Sequence, residues 1–170
     1  MQGEFLAKKE IRRILEQLEK QWGCSLELDY LFFRNNKNRI SLMNRDFVQL
    51  DTSKLRLNSV GLYFCEVMDN GEIRLSIEGS QLVGPTATKN VILLDFVQTR
   101  KWLYGQDIEF GSQSAASASF SPASAFSAVA SLPTGFVILQ HDDFFLGCGR
   151  LKNGVISNHV SKIRRIGTLS

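Results

Sequence analysis

His141, Asp142 and Asp143 are the first side chains to consider for chemistry, because adjacent imidazole and carboxylate groups can bind a metal ion or transfer protons. They stand between two apolar segments, residues 136–140 and 144–151. Polar residues between two predicted strands ordinarily form a turn. We therefore interpret the three residues as a turn, and an enzyme built on them is the least favoured function.

Cys148 and His159 would together supply a nucleophile and its base. Cys148 follows the apolar residues Phe145 and Leu146, and a thiol in such a segment is ordinarily buried and inert. The chain has three cysteines, and none belongs to a C-x-x-C motif, so neither a zinc site nor a disulfide framework is predicted. The sequence thus predicts no enzyme, no metal and no organic cofactor.

Positive charge is clustered near the end of the chain. The formal net charge is only +3, yet residues 144–170 contain no Asp or Glu. The basic residues of this stretch are Arg150, Lys152, Lys162, Arg164 and Arg165. A second basic group consists of Arg34, Lys37, Arg39 and Arg45. Such clusters are typical of proteins that bind phosphates, and the alternative interpretation is a solvated basic face.

Residues 98–107, QTRKWLYGQD, combine basic and aromatic side chains with a glycine. The pattern places Arg100, Lys101 and Tyr104 near the end of a short helix, which Gly105 would end. A helix end of this kind beside a glycine turn can approach phosphates closely and stack a base or a ribose.

The first half of the chain predicts a helix followed by antiparallel strands. Apolar residues recur at three- and four-residue spacing over residues 3–22, and Gly23 is a natural stop. A strand is predicted over residues 26–33, and a hairpin with a basic tip follows. Residues 61–76 predict a second hairpin, because their Asn-Gly pair favours a tight turn. Residues 77–83 predict a short helix.

The second half predicts a strand–helix–strand–hairpin order. A strand over residues 90–94 leads to a helix capped by Asp95. Residues 136–140 predict a further strand, residues 144–158 a hairpin, and residues 163–166 a strand that closes the sheet. No apolar run reaches the length of about 20 residues that a membrane span needs.

Residues 111–132 differ from the rest of the chain, because they contain eight serines, seven alanines and no charged residue. A loop of this length is either disordered or functional, and its composition favours disorder.

In this order, the segments NVILLD, WLYGQDI, GFVIL and FLGCGRLKNG resemble a PUA domain over residues 90–166. The ending LKNGVISNHVSKIRRI resembles the C-terminal RNA-binding region of the Sun/Fmu family of rRNA cytosine-5 methyltransferases. The upstream residues GLYFCEV and IRLSIEGSQLVG are similar to the region that precedes the PUA domain in that family and in two-domain pre-PUA/PUA ribosome-biogenesis factors. The chain therefore resembles standalone relatives of the methyltransferase tail.

The resemblance implies an α+β fold. Residues 1–84 would form a pre-PUA-like module of a helix and antiparallel strands. Residues 85–170 would form a small PUA-like mixed β barrel, with the Ser/Ala-rich insertion at 111–132. RNA would dock on the helix end, its turn, the last hairpin and the basic close. The implied contacts are Arg100, Lys101, Tyr104, Gly105, Gln106, Lys152, Asn153, Lys162, Arg164 and Arg165.

The same family argues against methyl transfer by this chain. Its methyltransferases use cysteines in Pro-Cys and Thr-Cys dipeptides, whereas the residues before the three cysteines here are Gly23, Phe64 and Gly147. The predicted function is therefore that of a non-catalytic, cytoplasmic protein that binds structured RNA, rRNA before tRNA, in ribosome biogenesis or RNA modification. The alternative is an adaptor that supplies RNA binding to a separate RNA methyltransferase or joins a pre-ribosomal protein. No membrane partner is expected.

Overall fold

The computed structural model describes residues 3–49, 61–110 and 134–167. Within them lie three helices: α1 (Lys8–Trp22), α2 (Ile77–Val83) and α3 (Phe96–Leu103). The strands are β1 (Gly3–Phe5), β2 (Leu31–Asn35), β3 (Arg39–Met43), β4 (Leu62–Val67), β5 (Ile73–Leu75), β6 (Val91–Leu93), β7 (Ile108–Glu109), β8 (Gly135–His141), β9 (Phe144–Lys152) and β10 (Val155–Ser157). The predicted Ser/Ala-rich loop falls outside the described residues.

Helix α1 carries an apolar face, whose residues Ile14, Leu18 and Trp22 are buried. It ends at Gly23, as predicted, and that glycine has the left-handed φ of 63° typical of a helix stop. The predicted start at residue 3 is wrong. Residues Gly3–Phe5 instead pair with β2 as an edge strand, so the backbone of these residues bonds to a neighbouring strand rather than within a helix.

The N-terminal sheet has the order β1-β2-β3-β4-β5, and its strand pairs are antiparallel. The first predicted strand, residues 26–33, is misplaced, since β2 begins only at Leu31. Leu26 and Leu28 supply the alternating pattern, but they pack as half-buried side chains against the core without strand pairing. The hairpin of β4 and β5 across Asn70 and Gly71 forms as predicted.

The C-terminal sheet has the order β6-β8-β9-β10-β7. It is mixed, because β6 runs parallel to β8 while the other pairs are antiparallel. This sheet curls into a half-barrel, which confirms the predicted α+β class with a PUA-like barrel. The predicted closing strand at residues 163–166 is wrong. A 3-10 turn over Lys162–Arg164 stands there, and Ile166 bonds to the end of α3 instead of to a strand.

Helix α2 joins the two sheets. It packs on β9 on one side and on β4 on the other. A single buried cluster contains Leu18 and Phe64 from the N-terminal part together with Ile138 and Cys148 from the C-terminal sheet. A second cluster surrounds Trp102 beneath the C-terminal sheet. The boundary at residues 84 and 85 remains a prediction.

Candidate functional site

The turn that follows α3 is fixed from both ends. Asp95 begins the helix, since its carboxylate accepts a bond from the Gln98 amide at 2.8 Å. At the other end Gly105 adopts a φ of 82°. Its amide donates to the Trp102 carbonyl at 2.9 Å, which closes the turn. The predicted residues Arg100 and Lys101 are exposed on the last helical turn, where cations are favoured by the helix dipole.

Asn158 holds this turn against the last strand. Its amide nitrogen donates to the Trp102 carbonyl at 2.8 Å and to the Gln106 carbonyl at 3.1 Å. Its side-chain oxygen accepts from the Val160 amide at 2.8 Å. Its own backbone amide donates to the Asp107 carboxylate at 2.7 Å. One side chain thus fixes the turn and the start of the C-terminal segment together.

The basic close, defined here as Lys162, Arg164 and Arg165, lies partly over that turn. The Ile166 amide donates to the Leu103 carbonyl at 3.0 Å, which ties the segment to the end of α3. The Arg165 guanidinium lies directly against Gly105, so that any side chain at position 105 would overlap it. Arg165 is also held by a 3.0 Å bond from its Nε to the Val160 carbonyl. The structure therefore brings Gly105, Gln106 and Arg165 together.

The other predicted residues are placed differently. Lys162 is exposed, whereas Arg164 turns towards α2 and forms a 2.5 Å ion pair with Glu78. Lys152 ends β9 and Asn153 begins the turn to β10, and both are exposed. This turn lies at the opposite end of β10 from Asn158. At about 3.3 Å per strand residue, some 13 Å separates this turn from Asn158. Lys152 and Asn153 therefore form a patch of their own, apart from the turn after α3, and Arg164 belongs to neither because it is paired with Glu78.

The second basic group is largely engaged in ion pairs. Arg34 binds Glu4 and Glu10 at 2.5 and 2.9 Å, and Arg45 binds Asp29 at 2.5 Å. Fewer of its positive charges are therefore available to bind phosphates than the sequence alone indicates.

His141, Asp142 and Asp143 form the tip of the β8–β9 hairpin, as predicted. Asp142 has a φ of 48°, and the His141 Nδ1 atom lies 2.8 Å from the Leu94 carbonyl. Across the described ranges of the chain, no group of three His, Cys, Asp or Glu residues is placed to hold a metal ion. Nor does any described helix have the length and apolarity to cross a membrane.

Cys148 and His159 lie in the lining of one cleft. The sequence did not predict this cleft. Burial raises the pKa of Cys148 to about 12, although a backbone hydrogen bond from Leu75 and the charge of Arg74 oppose the shift. The thiol is therefore protonated at neutral pH and is a poor nucleophile. Partial burial and the nearby Arg74 lower the pKa of His159, so its imidazole is neutral at pH 7.

The cleft has a volume of about 490 Å³ and lies between the N-terminal sheet, the start of α2, β9 and the C-terminal segment. Arg39 and Arg74 reach it from β3 and β5, the strands on either side of β4, and both bind Glu66 of β4, at 3.3 and 2.6 Å. Burial would raise the pKa of Glu66, but the two arginines outweigh it and lower that pKa. Glu66 is paired in register with both arginines across the sheet. Of these two pairings, only that with Arg74 lies within a predicted hairpin.

Replacing Asn158 with alanine is expected to lower the free energy of unfolding by about 2 kcal/mol, because three backbone groups lose their partner. Urea unfolding would measure it. Asn36→Ala is the matched control, since Asn36 is exposed in the β2–β3 turn and its loss should change stability by less than about 0.5 kcal/mol. Equal stability of the two variants would show that Asn158 does not fix the turn.

Comparison with known proteins identifies the domain that carries this turn. Residues 89–166 match the family model of a PUA domain, and a PUA domain is an RNA-binding domain. More narrowly, the matched family is the methyltransferase RsmF PUA domain, and this part of the chain is a PUA domain related to the C-terminal region of Sun/Fmu-type methyltransferases. The matched domain is not the catalytic one. A search of curated proteins finds no match to the chain.

Proposed function

We propose that this chain is a non-catalytic protein that binds structured RNA through the turn after α3 and the basic close, and that it acts on rRNA in ribosome biogenesis or RNA modification. The observation that carries the proposal is the contact of Arg165 with Gly105 inside a matched PUA domain. The absence of a side chain at Gly105 lets the Arg165 guanidinium lie against the backbone of the turn, where it offers charge and several donors to a phosphate.

The two patches at the ends of β10 suit an RNA that presents more than one phosphate. Arg165 is held at Val160 beyond one end of β10, and Lys152 pairs with Val155 at the other end, about 10 Å from Asn158 by strand spacing. A single phosphate cannot contact both ends, whereas a helical RNA presents phosphates at several points of a rigid shape. We therefore propose that recognition depends on shape and phosphate position.

The state of the cysteines supports a non-catalytic role. Cys24, Cys65 and Cys148 are all buried, and burial raises the pKa of each thiol above its ordinary value. A cysteine nucleophile must be a thiolate to react. The division into a module of residues 1–84 and an RNA-binding domain of residues 85–170 belongs to the same proposal.

Binding to a structured RNA across a salt series tests the proposal. Lys162→Ala/Arg164→Ala/Arg165→Ala is expected to weaken binding and to make the plot of log K against log salt shallower by about 2, because each lost phosphate contact removes about 0.7–0.9 from the slope. Arg164 should contribute least, since Glu78 already neutralises it.

The matched control is Lys8→Ala/Lys9→Ala/Arg12→Ala, which removes the same charge from exposed positions of α1. This variant should retain most of the wild-type affinity and slope. If both triple variants behave alike, only net charge matters and the proposed surface is wrong. Absence of binding to any RNA at low salt would contradict the function itself.

A second candidate, the adaptor, is favoured by one apolar edge. Phe96, Val97 and Phe144 are 66%, 61% and 70% exposed. The start of α3 and the tip of the β8–β9 hairpin both flank the end of β8, because Leu94 bonds to Gln140 and Phe144 pairs with His141. Exposed apolar patches mark protein contacts. Pull-down of a separate RNA methyltransferase that depends on Phe144 would support this role.

A further inference from the structure

We propose that the cleft between the N-terminal sheet and the C-terminal segment binds a single unstacked nucleotide of the RNA that the basic close holds. This inference rests on the proposed function and adds a site to it. Four parts of the chain line the cleft, namely the N-terminal sheet, the start of α2, β9 and the C-terminal segment. The site therefore exists only because the two halves of the chain pack together.

The charges of the cleft suit one phosphodiester group. Arg39 and Arg74 share the carboxylate of Glu66, so that this trio carries one net positive charge. Arg164 is balanced by Glu78. The remaining positive charge of one unit matches the single negative charge of one nucleotide in a strand, because each phosphate of RNA carries one charge.

The walls of the cleft suit a nucleobase. Tyr63 presents a half-buried ring, with the Arg39 guanidinium 5.7 Å from its centroid. Ile163 is 90% exposed on the rim, so its side chain is available to contact a bound base. Unstacked bases bind to proteins by stacking on aromatic rings, guanidinium planes and apolar side chains.

His159 adds the means to recognise a base edge. Its imidazole is neutral at pH 7, because partial burial, Arg74 and Arg150 lower its pKa. A neutral imidazole has one donor nitrogen and one acceptor nitrogen. One of these nitrogens can therefore bond a donor or an acceptor on the edge of a nucleobase.

The position of the cleft agrees with this occupant. Ile163 lies between Lys162 and Arg164 of the basic close, so an RNA bound there passes the mouth of the cleft within one residue. The volume of about 490 Å³ lies in the range of about 300–1,000 Å³ that small-ligand sites have. It suits one nucleotide better than a helical segment.

Two RNA hairpins of the same stem sequence test the inference, one fully paired and one with a single unpaired adenosine in the stem. Wild-type protein is expected to bind the bulged hairpin about ten-fold more tightly, because one base gains a stacking site. Ile163→Ser and Tyr63→Leu should each reduce that preference towards one and leave affinity for the paired hairpin unchanged.

Ile166→Ser is the matched control, since Ile166 is also an exposed isoleucine of the C-terminal segment but does not line the cleft. It should keep the ten-fold preference. Equal binding of the two hairpins by wild-type protein, or an unchanged preference in Ile163→Ser, would overturn the inference and leave the proposed function standing. Failure to bind either hairpin would overturn both.

Discussion

Replacing Gly79 with alanine is expected to lower the free energy of unfolding by about 3 kcal/mol. The same change at an ordinary position inside a helix raises stability by about 1 kcal/mol. The sign reverses here because a methyl group at position 79 would overlap the carbonyl oxygen of Phe64. That oxygen accepts a 2.9 Å bond from the Ser76 amide, so the strand cannot move aside without losing it.

Urea unfolding with a two-state fit would measure the effect of Gly79→Ala. Gln81→Ala is the matched control, because Gln81 is exposed on the same helix and its replacement should change stability by less than about 0.5 kcal/mol. A Gly79→Ala variant as stable as wild type would mean that α2 does not pack closely on β4. The cleft at the start of α2 would then lack its rigid wall.

Replacing Gly105 with alanine is expected to reduce both stability and RNA affinity. A left-handed φ costs a residue with a side chain about 1–2 kcal/mol, and the new methyl group must also displace Arg165. The displaced guanidinium loses its bond to the Val160 carbonyl, worth about 1 kcal/mol. We expect a total loss of about 3 kcal/mol and about ten-fold weaker RNA binding, the loss of one charge-assisted contact.

Gly71→Ala separates the backbone strain from the displacement of Arg165. Gly71 has a φ of 81°, against 82° for Gly105, but no neighbouring atom lies within 4 Å of the added carbon. Urea unfolding and RNA titration of both variants would measure the difference. The control should show the backbone cost alone, with RNA affinity unchanged. Equal losses of stability with equal affinities would mean that Arg165 is not held at Gly105.

Local signals in the sequence predicted most elements. The Asn-Gly pair marked the β4–β5 turn, and Asp95 marked the start of α3. The failures have a common physical cause, namely dependence on distant partners. Strand β7 has only two residues and exists through its pairing with β10. The apolar and basic pattern of residues 163–166 predicted a strand, but the Ile166 amide bonds to the Leu103 carbonyl at the end of a helix.

The candidate site was predicted in its parts and not in its arrangement. Charge and resemblance to a family pointed to Gly105 and Arg165, but their contact forms only when the chain end folds back on α3. The cleft was missed because its walls come from both halves of the chain. The pairing of Glu66 with Arg74 could be predicted, because the Asn-Gly turn sets the register that places these two residues opposite each other.

The two tryptophans of the chain give each core its own optical reporter. Trp22 and Trp102 are both completely buried, but they belong to different clusters. Their indoles also differ in environment, because Trp102 donates to the Leu146 carbonyl at 3.1 Å while the Trp22 nitrogen has no partner among the described residues. Fluorescence from Trp22→Phe protein reports on the RNA-binding domain alone, and that from Trp102→Phe protein reports on the shared core.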